Sequence, residues 1–251
     1  MKLSDELQLA VRAARTAGGF LKKREGIRVD ALIGRDIKLS SDKMSEKIIM
    51  DILDESGIPI LSEEYGFKGE EGKEFWIVDP LDGTVNYFKG MDELACVSIA
   101  LWRDGHPVLG VVYRFVQDEL FYGEEGLGAY RNDILVKPSD TEDVSQAVMA
   151  TGFPVKRSYD NESLAAFIKQ VQRFKKVRML GSAATMGTFV ACGRLDAYFE
   201  ENIMIWDVAA AAAIVGAAGG AVDLKLLEDS KTICRCFANR KLMEDYYAES
   251  L

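Results

Sequence analysis

The feature that most constrains the fold is an apolar run at residues 206–220. It reads Trp-Asp-Val-Ala-Ala-Ala-Ala-Ala-Ile-Val-Gly-Ala-Ala-Gly-Gly, and its single charged residue is Asp207. As a helix the run would be apolar on every side, and such a helix is stable only when it is buried. A membrane span needs about 20 consecutive apolar residues, and this run is shorter. The sequence therefore predicts a core helix with one carboxylate at its N-terminal end.

The rest of the chain follows two patterns that meet near residue 137. Two helical segments come first, and they are followed by β-prone apolar runs at 75–78, 95–102, 108–115 and 119–122. The dipeptide Asp104-Gly105 is a hairpin signal between two of these runs. Later in the chain, strand-like and helical runs alternate, as in α/β layer structures. We predict an N-terminal α+β subdomain (1–136) and a C-terminal α/β subdomain (137–251) that share one cleft.

The net charge and the N-terminal segment of the chain limit which partners and which cellular compartment we expect. The chain of 251 residues has a formal net charge of −9 and 48% apolar residues. An acidic globular protein has no general attraction for nucleic acid or anionic membranes, and we expect neither as a partner. The N-terminal segment lacks the layout of a secretion signal. We therefore expect a cytoplasmic protein whose cysteines are reduced thiols, namely Cys96, Cys192, Cys234 and Cys236.

Paired acids follow the strongest strand signal in the chain. Residues 75–78 are apolar and lead directly into Asp-Pro-Leu-Asp-Gly-Thr at 79–84. Because Pro80 cannot continue ladder pairing, we expect the strand to end there. Carboxylates at the end of a buried strand are costly unless something positive neutralises them. Asp79 and Asp82 could converge on a hard cation, although Asp-x-x-Asp alone favours an ordinary acidic turn.

Other acids have two interpretations each. Asp207 is either a metal ligand or a carboxylate that stabilises the N-terminus of its helix. Glu63 and Glu64 follow a short apolar run and, taken alone, are typical of a solvated loop. Asp42 could simply cap the helix predicted at 42–55. Only the combination of these acids with the Asp-x-x-Asp turn favours a shared metal site.

Several segments, in their order along the chain, resemble the inositol monophosphatase family of metal-dependent, lithium-sensitive phosphatases. They are the pair Asp36 and Asp42, the Ser-Glu-Glu loop at 62–64, residues 76–86, the substrate-facing segments 178–184 and 196–200, and residues 205–220. The resemblance covers nearly the whole chain. It implies a layered αβαβα sandwich of the sugar phosphatase type, a phosphate-monoester hydrolase, and a homodimer.

The resemblance also implies a role for each residue. Two Mg²⁺ ions, with a third and weaker one near Glu63, would be held by Glu63, Asp79, the carbonyl of Leu81, Asp82 and Asp207. The implied catalytic residues are Thr84, Asp42 and Glu63. Thr84 would hydrogen-bond the attacking water, and Asp42 would orient Thr84. The substrate would be faced by Asp82, Gly83, Thr84, Gly181, Ser182, Ala183, Glu200 and Asp207.

The implied chemistry agrees with the residue types. Magnesium prefers oxygen ligands and keeps several waters. Two such ions can hold a phosphate, lower the pKa of a water and stabilise the leaving alkoxide. The one histidine, His106, follows the hairpin turn, and we expect it at the surface. Histidine general-base chemistry and a phosphoenzyme are therefore not expected.

Substrate choice is less constrained by the sequence. After Asp-Gly-Thr the chain reads Val-Asn-Tyr, which resembles the inositol phosphatases, and Glu200 can accept hydrogen bonds from polyol hydroxyls. We expect myo-inositol 1-phosphate or a related polyol phosphate. The alternatives are fructose 1,6-bisphosphate, alone or as a second substrate, 3′-phosphoadenosine 5′-phosphate and histidinol phosphate. Ala31 lies at a position where the family often has a lysine. A non-catalytic regulatory member of the family is a more remote alternative.

Overall fold

The computed structural model describes residues 3–25, 27–33, 36–70, 72–153 and 160–248. The helices are α1 (Asp5–Leu21), α2 (Ser40–Leu53), α3 (Thr84–Phe88), α4 (Asn161–Val171), α5 (Ala183–Ala191), α6 (Ile205–Ala217) and α7 (Arg240–Ala248). The strands as far as residue 135 are β1 (Val29–Ile33), β2 (Asp36–Leu39), β3 (Ile60–Ser62), β4 (Gly66–Lys68), β5 (Glu74–Asp82), β6 (Cys96–Arg103), β7 (His106–Arg114), β8 (Glu119–Glu124), β9 (Gly128–Arg131) and β10 (Ile134–Leu135). The later strands are β11 (Val148–Ala150), β12 (Lys176–Arg178), β13 (Ala197–Met204), β14 (Ala221–Leu226) and β15 (Lys231–Phe237).

Sheets and helical layers alternate through the molecule. The first large sheet has eight strands in the order β10-β9-β8-β7-β6-β5-β3-β4, and the second has five in the order β12-β11-β13-β15-β14. Helices α1 and α2 pack on the outer face of the first sheet, while α5 and α6 lie between the two sheets. Helices α4 and α7 cover the outer face of the second sheet. The predicted αβαβα sandwich is confirmed.

Strand β6 illustrates how one sheet supports two cores. Successive side chains of a strand point to opposite faces of the sheet. Val97, Ile99 and Leu101 pack toward α1 and α2, whereas Ala100 and Trp102 pack toward α5 and α6. A strand that is covered on both faces needs apolar residues at successive positions, which explains why residues 95–102 are apolar except for Ser98.

The predicted core helix is α6, and its backbone approaches the first sheet closely. A Cβ atom placed on Gly110 of β7 would lie 2.2 Å from the carbonyl oxygen of Ala210. The alanine-rich face of the helix and the missing side chain at Gly110 together permit this approach. Because interiors are close-packed and resist displacement, the contact fixes the position of Asp207 in the first turn of α6.

The strand before the acidic turn does not end at Pro80, and that prediction is wrong. Strand β5 continues to Asp82 through a register shift between Asp79 and Asp82. Pro80 has no N–H to give to the ladder, and its carbonyl accepts a hydrogen bond from Ser45 Oγ at 2.7 Å. A shift of this kind is a β-bulge, which bends the strand and changes the direction of its side chains.

Other local predictions have mixed outcomes. The hairpin at Asp104-Gly105 joins β6 and β7, and both turn residues have positive φ values of 48° and 93°. His106 is exposed, as expected. Asp42 is not the N-cap of its helix, because α2 begins at Ser40; Asp42 lies in the first turn, and its Oδ2 accepts a hydrogen bond from the Leu39 amide at 2.7 Å.

Two broader predictions concern boundaries and membranes. The last strand of the first sheet ends at Leu135 and the second sheet begins at Val148, but the division into subdomains 1–136 and 137–251 stays a prediction. No helix within the described ranges has the length and apolarity that a membrane span requires.

The four cysteines are free thiols.

We predict that Gly110→Ala lowers the free energy of unfolding by about 1–3 kcal/mol, because the added methyl group would overlap the α6 backbone. The matched control is Gly19→Ala in α1, where an added Cβ has no neighbouring atom within 4 Å. That change should stabilise the protein by about 0.5–1 kcal/mol through helix propensity. Urea unfolding of both variants measures the difference, and similar values for the two would contradict the close contact.

Candidate active site

A cleft of about 440 Å³ opens between the first sheet and the elements of the second. Its wall is built from the end of β5, the beginnings of α3, α5 and α6, and part of β13. Most predicted site residues lie in this wall: Glu63, Asp79, Leu81, Asp82, Gly83, Thr84, Gly181, Ser182, Ala183, Glu200 and Asp207. Asp42 is buried behind the wall, and the side chain of Asp36 lies outside the described part of the chain.

Five carboxylic side chains in the wall carry its negative charge. We call them the cleft acids: Glu63, Asp79, Asp82, Glu200 and Asp207. They come from four separate segments, which the layered fold brings together. The sequence identified all five as site residues, but their proximity is a consequence of the way β5, β13 and α6 meet.

The bulge in β5 places Asp79 and Asp82 at the bottom of the cleft. Asp79 Oδ1 accepts a hydrogen bond from the amide of Leu81 at 3.0 Å. Burial, followed by the negative charge of neighbouring acids, raises the pKa of Asp79 well above its usual range. Two neighbouring carboxylates of this kind cannot both ionise easily unless a cation compensates them.

Asp82 is held by the beginning of α5. Its Oδ2 accepts hydrogen bonds from Ser182 Oγ at 2.6 Å and from the Ala184 amide at 2.8 Å. Burial raises the pKa of Asp82 to about 6, although these hydrogen bonds oppose the shift. The Ser182 hydroxyl is therefore directed at Asp82, so this residue orients a carboxylate of the site in addition to lining the cleft.

Asp207 completes the acidic group from the opposite side. It lies in the first turn of α6 and forms a side-chain hydrogen bond with Asp79. Burial and then the charge of Glu63 raise the pKa of Asp207 well above its usual range. A carboxylate that only capped the helix dipole would gain stability from ionising. Burial and the neighbouring negative charges instead make ionisation of Asp207 costly, although its hydrogen bond with Asp79 opposes the shift. This favours the interpretation of Asp207 as a ligand.

Glu46 holds the loop that carries Glu63, a role that sequence reasoning did not predict. Glu46 Oε1 accepts hydrogen bonds from the amides of Glu64 at 3.1 Å and Tyr65 at 2.9 Å, and also from Ser62 Oγ. Glu46 is a buried acid on α2. A buried carboxylate with three donors is satisfied, and it fixes the backbone on either side of Glu63.

The expected hydrogen bond between Asp42 and Thr84 is not formed. Thr84 Oγ1 donates to the carbonyl of Leu81 at 2.9 Å, and Asp42 Oδ1 is buried with no hydrogen-bond partner. Burial raises the pKa of Asp42 to about 7. The Asp42 carboxyl instead holds the start of α2, because its other oxygen accepts from the Leu39 amide.

Glu200 is the first residue of β13 that lines the cleft. It is buried, and burial raises the pKa of Glu200 to about 8. The backbone of Gly152 lies so close that a Cβ there would be 2.7 Å from Glu200 Oε1. An acid in this setting is protonated near neutral pH, and it can then both donate and accept hydrogen bonds.

Asn86 joins the two halves of the cleft. Its Nδ2 lies within hydrogen-bond distance of three carbonyl oxygens, those of Leu94 at 3.0 Å, Leu180 at 2.8 Å and Gly181 at 3.2 Å. Asn86 therefore ties α3, which follows the acidic turn, to the segment that presents Gly181. The sequence placed Asn86 inside a motif but did not indicate this contact between the two halves, because Leu180 and Gly181 lie 94 and 95 residues away.

The donor atoms in the cleft fit a hard divalent cation. They are carboxylate, carbonyl and hydroxyl oxygens, which Mg²⁺ prefers. A bound cation would relieve the repulsion that raises the pKa values of the buried acids. Among the described residues, no three acids are already grouped as a ligand shell. Water would complete the coordination, as is usual for Mg²⁺.

Known proteins resemble this chain over most of its length. The model of the inositol monophosphatase family matches residues 2–230. The Nus factor SuhB of Xylella fastidiosa is 37% identical over 223 residues, covering 86% of this chain and 80% of that protein. The inositol-1-monophosphatase of Mesorhizobium japonicum is 36% identical over 230 residues, covering 88% of this chain and 86% of that protein. The solved structure of inositol monophosphatase from Anabaena (Nostoc) has a TM-score of 0.82 and 33% identity, covering 97% of this chain and 94% of that one.

We predict that the protein in chelating buffer loses stability as the pH rises from 5 to 8, and that Glu200→Gln removes part of this loss. The folded-state pKa of Glu200 is raised from 4.5 to about 8. The folded state therefore binds more protons than the unfolded state in this window, and stability falls with rising pH by up to about 1.4 kcal/mol per pH unit for one such group.

Urea unfolding at pH 5, 6.5 and 8 measures this dependence. The matched control is Glu201→Gln, since Glu201 is the next residue and pairs with Arg235 at 3.4 Å outside the cleft. Glu200→Gln should gain stability over the wild type toward pH 8, whereas the control should not. Parallel pH profiles for the wild type and Glu200→Gln would contradict the assignment.

Proposed function

This chain belongs to the inositol monophosphatase family, and we infer that it is a Mg²⁺-dependent phosphatase that hydrolyses a small polyol phosphate, with myo-inositol 1-phosphate as the first candidate. The observation that carries the proposal is the position of Asp79, Asp82 and Asp207 in one cleft wall, where Asp79 and Asp207 share a hydrogen bond. Burial raises the pKa of all three, and the negative charge of Asp82 adds to the shifts of Asp79 and Asp207, an arrangement that is costly without cations. A phosphatase cleft uses such cations to attract an anionic substrate into an acidic wall.

The residues proposed to hold Mg²⁺ are Glu63, Asp79, the carbonyl of Leu81, Asp82 and Asp207. When bound, the ions would supply Lewis acidity that lowers the pKa of the attacking water and stabilises the charge on the leaving oxygen. The hydrogen bonds that Ser182 and Ala184 donate occupy Asp82 Oδ2. The remaining oxygen, Oδ1, is therefore the atom best suited to bind a cation.

Thr84 is the proposed residue that orients the water. Its hydroxyl proton is committed to the Leu81 carbonyl at 2.9 Å, so its oxygen can accept a hydrogen bond from the attacking water. Glu63 lies in the same wall and is the second proposed catalytic residue. Asp42 has no direct contact with Thr84, and its proposed role is to hold the start of α2 behind the wall.

Substrate preference is proposed from the residues of the cleft wall that the proposed Mg²⁺ ions do not use. Glu200 can exchange hydrogen bonds with vicinal hydroxyls, and Gly181 and Ala183 line the same cleft. A polyol phosphate matches this wall. Hydrolysis of fructose 1,6-bisphosphate, alone or beside inositol 1-phosphate, is the nearest alternative. Cleavage of 3′-phosphoadenosine 5′-phosphate or histidinol phosphate is a further one.

A regulatory role is the second candidate function. Several relatives carry the name Nus factor SuhB, among them the Escherichia coli protein, which is 35% identical over 224 residues. The two candidates differ in one respect that can be measured. A phosphatase must turn over a phosphate ester, whereas a regulator needs only the folded chain.

Phosphate release from a panel of esters tests the proposal. The panel contains myo-inositol 1-phosphate, fructose 1,6-bisphosphate, 3′-phosphoadenosine 5′-phosphate and histidinol phosphate, each with Mg²⁺ and with chelator. We expect Mg²⁺-dependent release that is fastest from inositol 1-phosphate and that millimolar lithium inhibits. If phosphate is released fastest from another ester, that ester becomes the proposed substrate. If Mg²⁺ binds but no ester releases phosphate, the regulatory role is favoured.

We predict that Asp207→Asn lowers kcat on the best ester on the order of 10³-fold, because an amide cannot neutralise a cation at the site. The matched control is Asp223→Asn on β14, since Asp223 pairs with Arg235 at 2.9 Å and does not line the cleft. Circular dichroism verifies that both variants fold. Full activity of folded Asp207→Asn would remove Asp207 from the metal site.

We predict that Asn86→Ala raises KM for the best ester about tenfold with a smaller effect on kcat, because Gly181 and its neighbours lose their tie and bind the alcohol part less well. Asn132→Ala is the matched control, since Asn132 also bridges backbone groups but lies away from the cleft. Steady-state kinetics separates the two constants. A loss confined to kcat in Asn86→Ala would contradict the positioning role.

A further inference from the structure

A lysine lies in the wall of the acidic cleft. Lys38 on β2 places its Nζ 2.8 Å from Glu63 Oε1, and it also hydrogen-bonds Glu64 Oε1. The side chains of Lys38 and Glu64 are only 21% and 10% exposed. Ion pairs with this little exposure are screened much less than pairs at the surface. The ammonium group is therefore a substantial local charge in the cleft.

The partners of Lys38 are held in place from behind. Glu46 accepts hydrogen bonds from the amides of Glu64 and Tyr65 and from Ser62. These contacts fix the loop on both sides of Glu63. The two glutamates therefore stay within reach of Lys38 without rearrangement of their backbone.

Among the described residues that line the cleft, Lys38 is the single basic one, and the other charged side chains are the five cleft acids. The positive charge on the protein side of this cleft therefore comes from Lys38, and it lies against Glu63, a proposed metal ligand.

We propose that Lys38 is a built-in cation that competes with a divalent ion for Glu63, an inference that rests on the metal centre of the proposed function. The ammonium group and a divalent ion cannot both lie against the same carboxylate oxygen without strong repulsion. The hydrogen-bond partners of Lys38 among the described residues are Glu63 and Glu64, so Lys38 does not compete for the carboxylate oxygens of Asp79, Asp82 and Asp207. The chain therefore binds a divalent ion at Glu63 more weakly than it would without Lys38. Divalent ions then bind in two distinguishable steps, first at the aspartates and then at Glu63.

Titration with Mn²⁺, followed by the electron paramagnetic resonance signal of the free ion, tests this without any turnover. Mn²⁺ is a divalent ion that accepts the same oxygen ligands. In Lys38→Met, the weaker class of sites should bind Mn²⁺ about tenfold more tightly than in the wild type, because the competing charge is gone. Lys38→Gln should behave in the same way, and Lys38→Arg should behave like the wild type because it keeps the charge.

The matched control is Lys43→Met, because Lys43 pairs with Asp30 at 2.8 Å and its side chain is 61% exposed. It should leave both classes of sites unchanged. Wild-type affinities in both folded Lys38→Met and folded Lys38→Gln would overturn the proposal. Asp207→Asn serves as a separate arm: if it loses no tight Mn²⁺ site, the proposed metal centre itself is wrong, whatever the lysine variants show.

Discussion

The repulsion among buried carboxylates at the edge of β5 is the constraint on which the site depends. Asp79 and Asp82 are fixed by a bulge, and Asp207 is fixed by the depth of α6 in the sandwich. That depth follows from backbone contact between Ala210 and Gly110, where an added Cβ would lie only 2.2 Å from the helix. The close packing of α6 thus determines the position of Asp207. The layers of the fold keep Asp207 near Asp79 and Asp82 although burial of these carboxylates is costly.

Proton and cation binding are therefore linked in this cleft. Burial raises the pKa of Asp82 to about 6 and that of Glu200 to about 8. A cation replaces protons on such acids and relieves the same repulsion. Lys38 also relieves this repulsion, because its ammonium group is a permanent positive charge beside Glu63.

Most element types had a local signal in the sequence: short apolar runs predicted strands of the first sheet, and the apolar run at 206–220 predicted the core helix. The sandwich and the set of cleft acids were predicted from the resemblance to a family, because each acid taken alone also had an ordinary interpretation. The bulge at Pro80 was missed, since proline was expected to end the strand and instead shifted its register. Lys38 and Glu46 had no local signal because their hydrogen-bond partners lie 16 to 26 residues away. The expected hydrogen bond between Asp42 and Thr84 is not formed because the Thr84 hydroxyl donates to the Leu81 carbonyl; a motif identifies residues but does not determine which of them are in contact.

Calorimetric titration of Mg²⁺ in two buffers with different ionisation enthalpies tests the central claim most directly. If the buried acids are partly protonated and bind the ion together, Mg²⁺ binding at pH 6 must release protons into the buffer. The account predicts a buffer-dependent heat at pH 6 that is lost in Asp207→Asn together with the tight binding. Binding without proton release, or no binding of Mg²⁺, would contradict it.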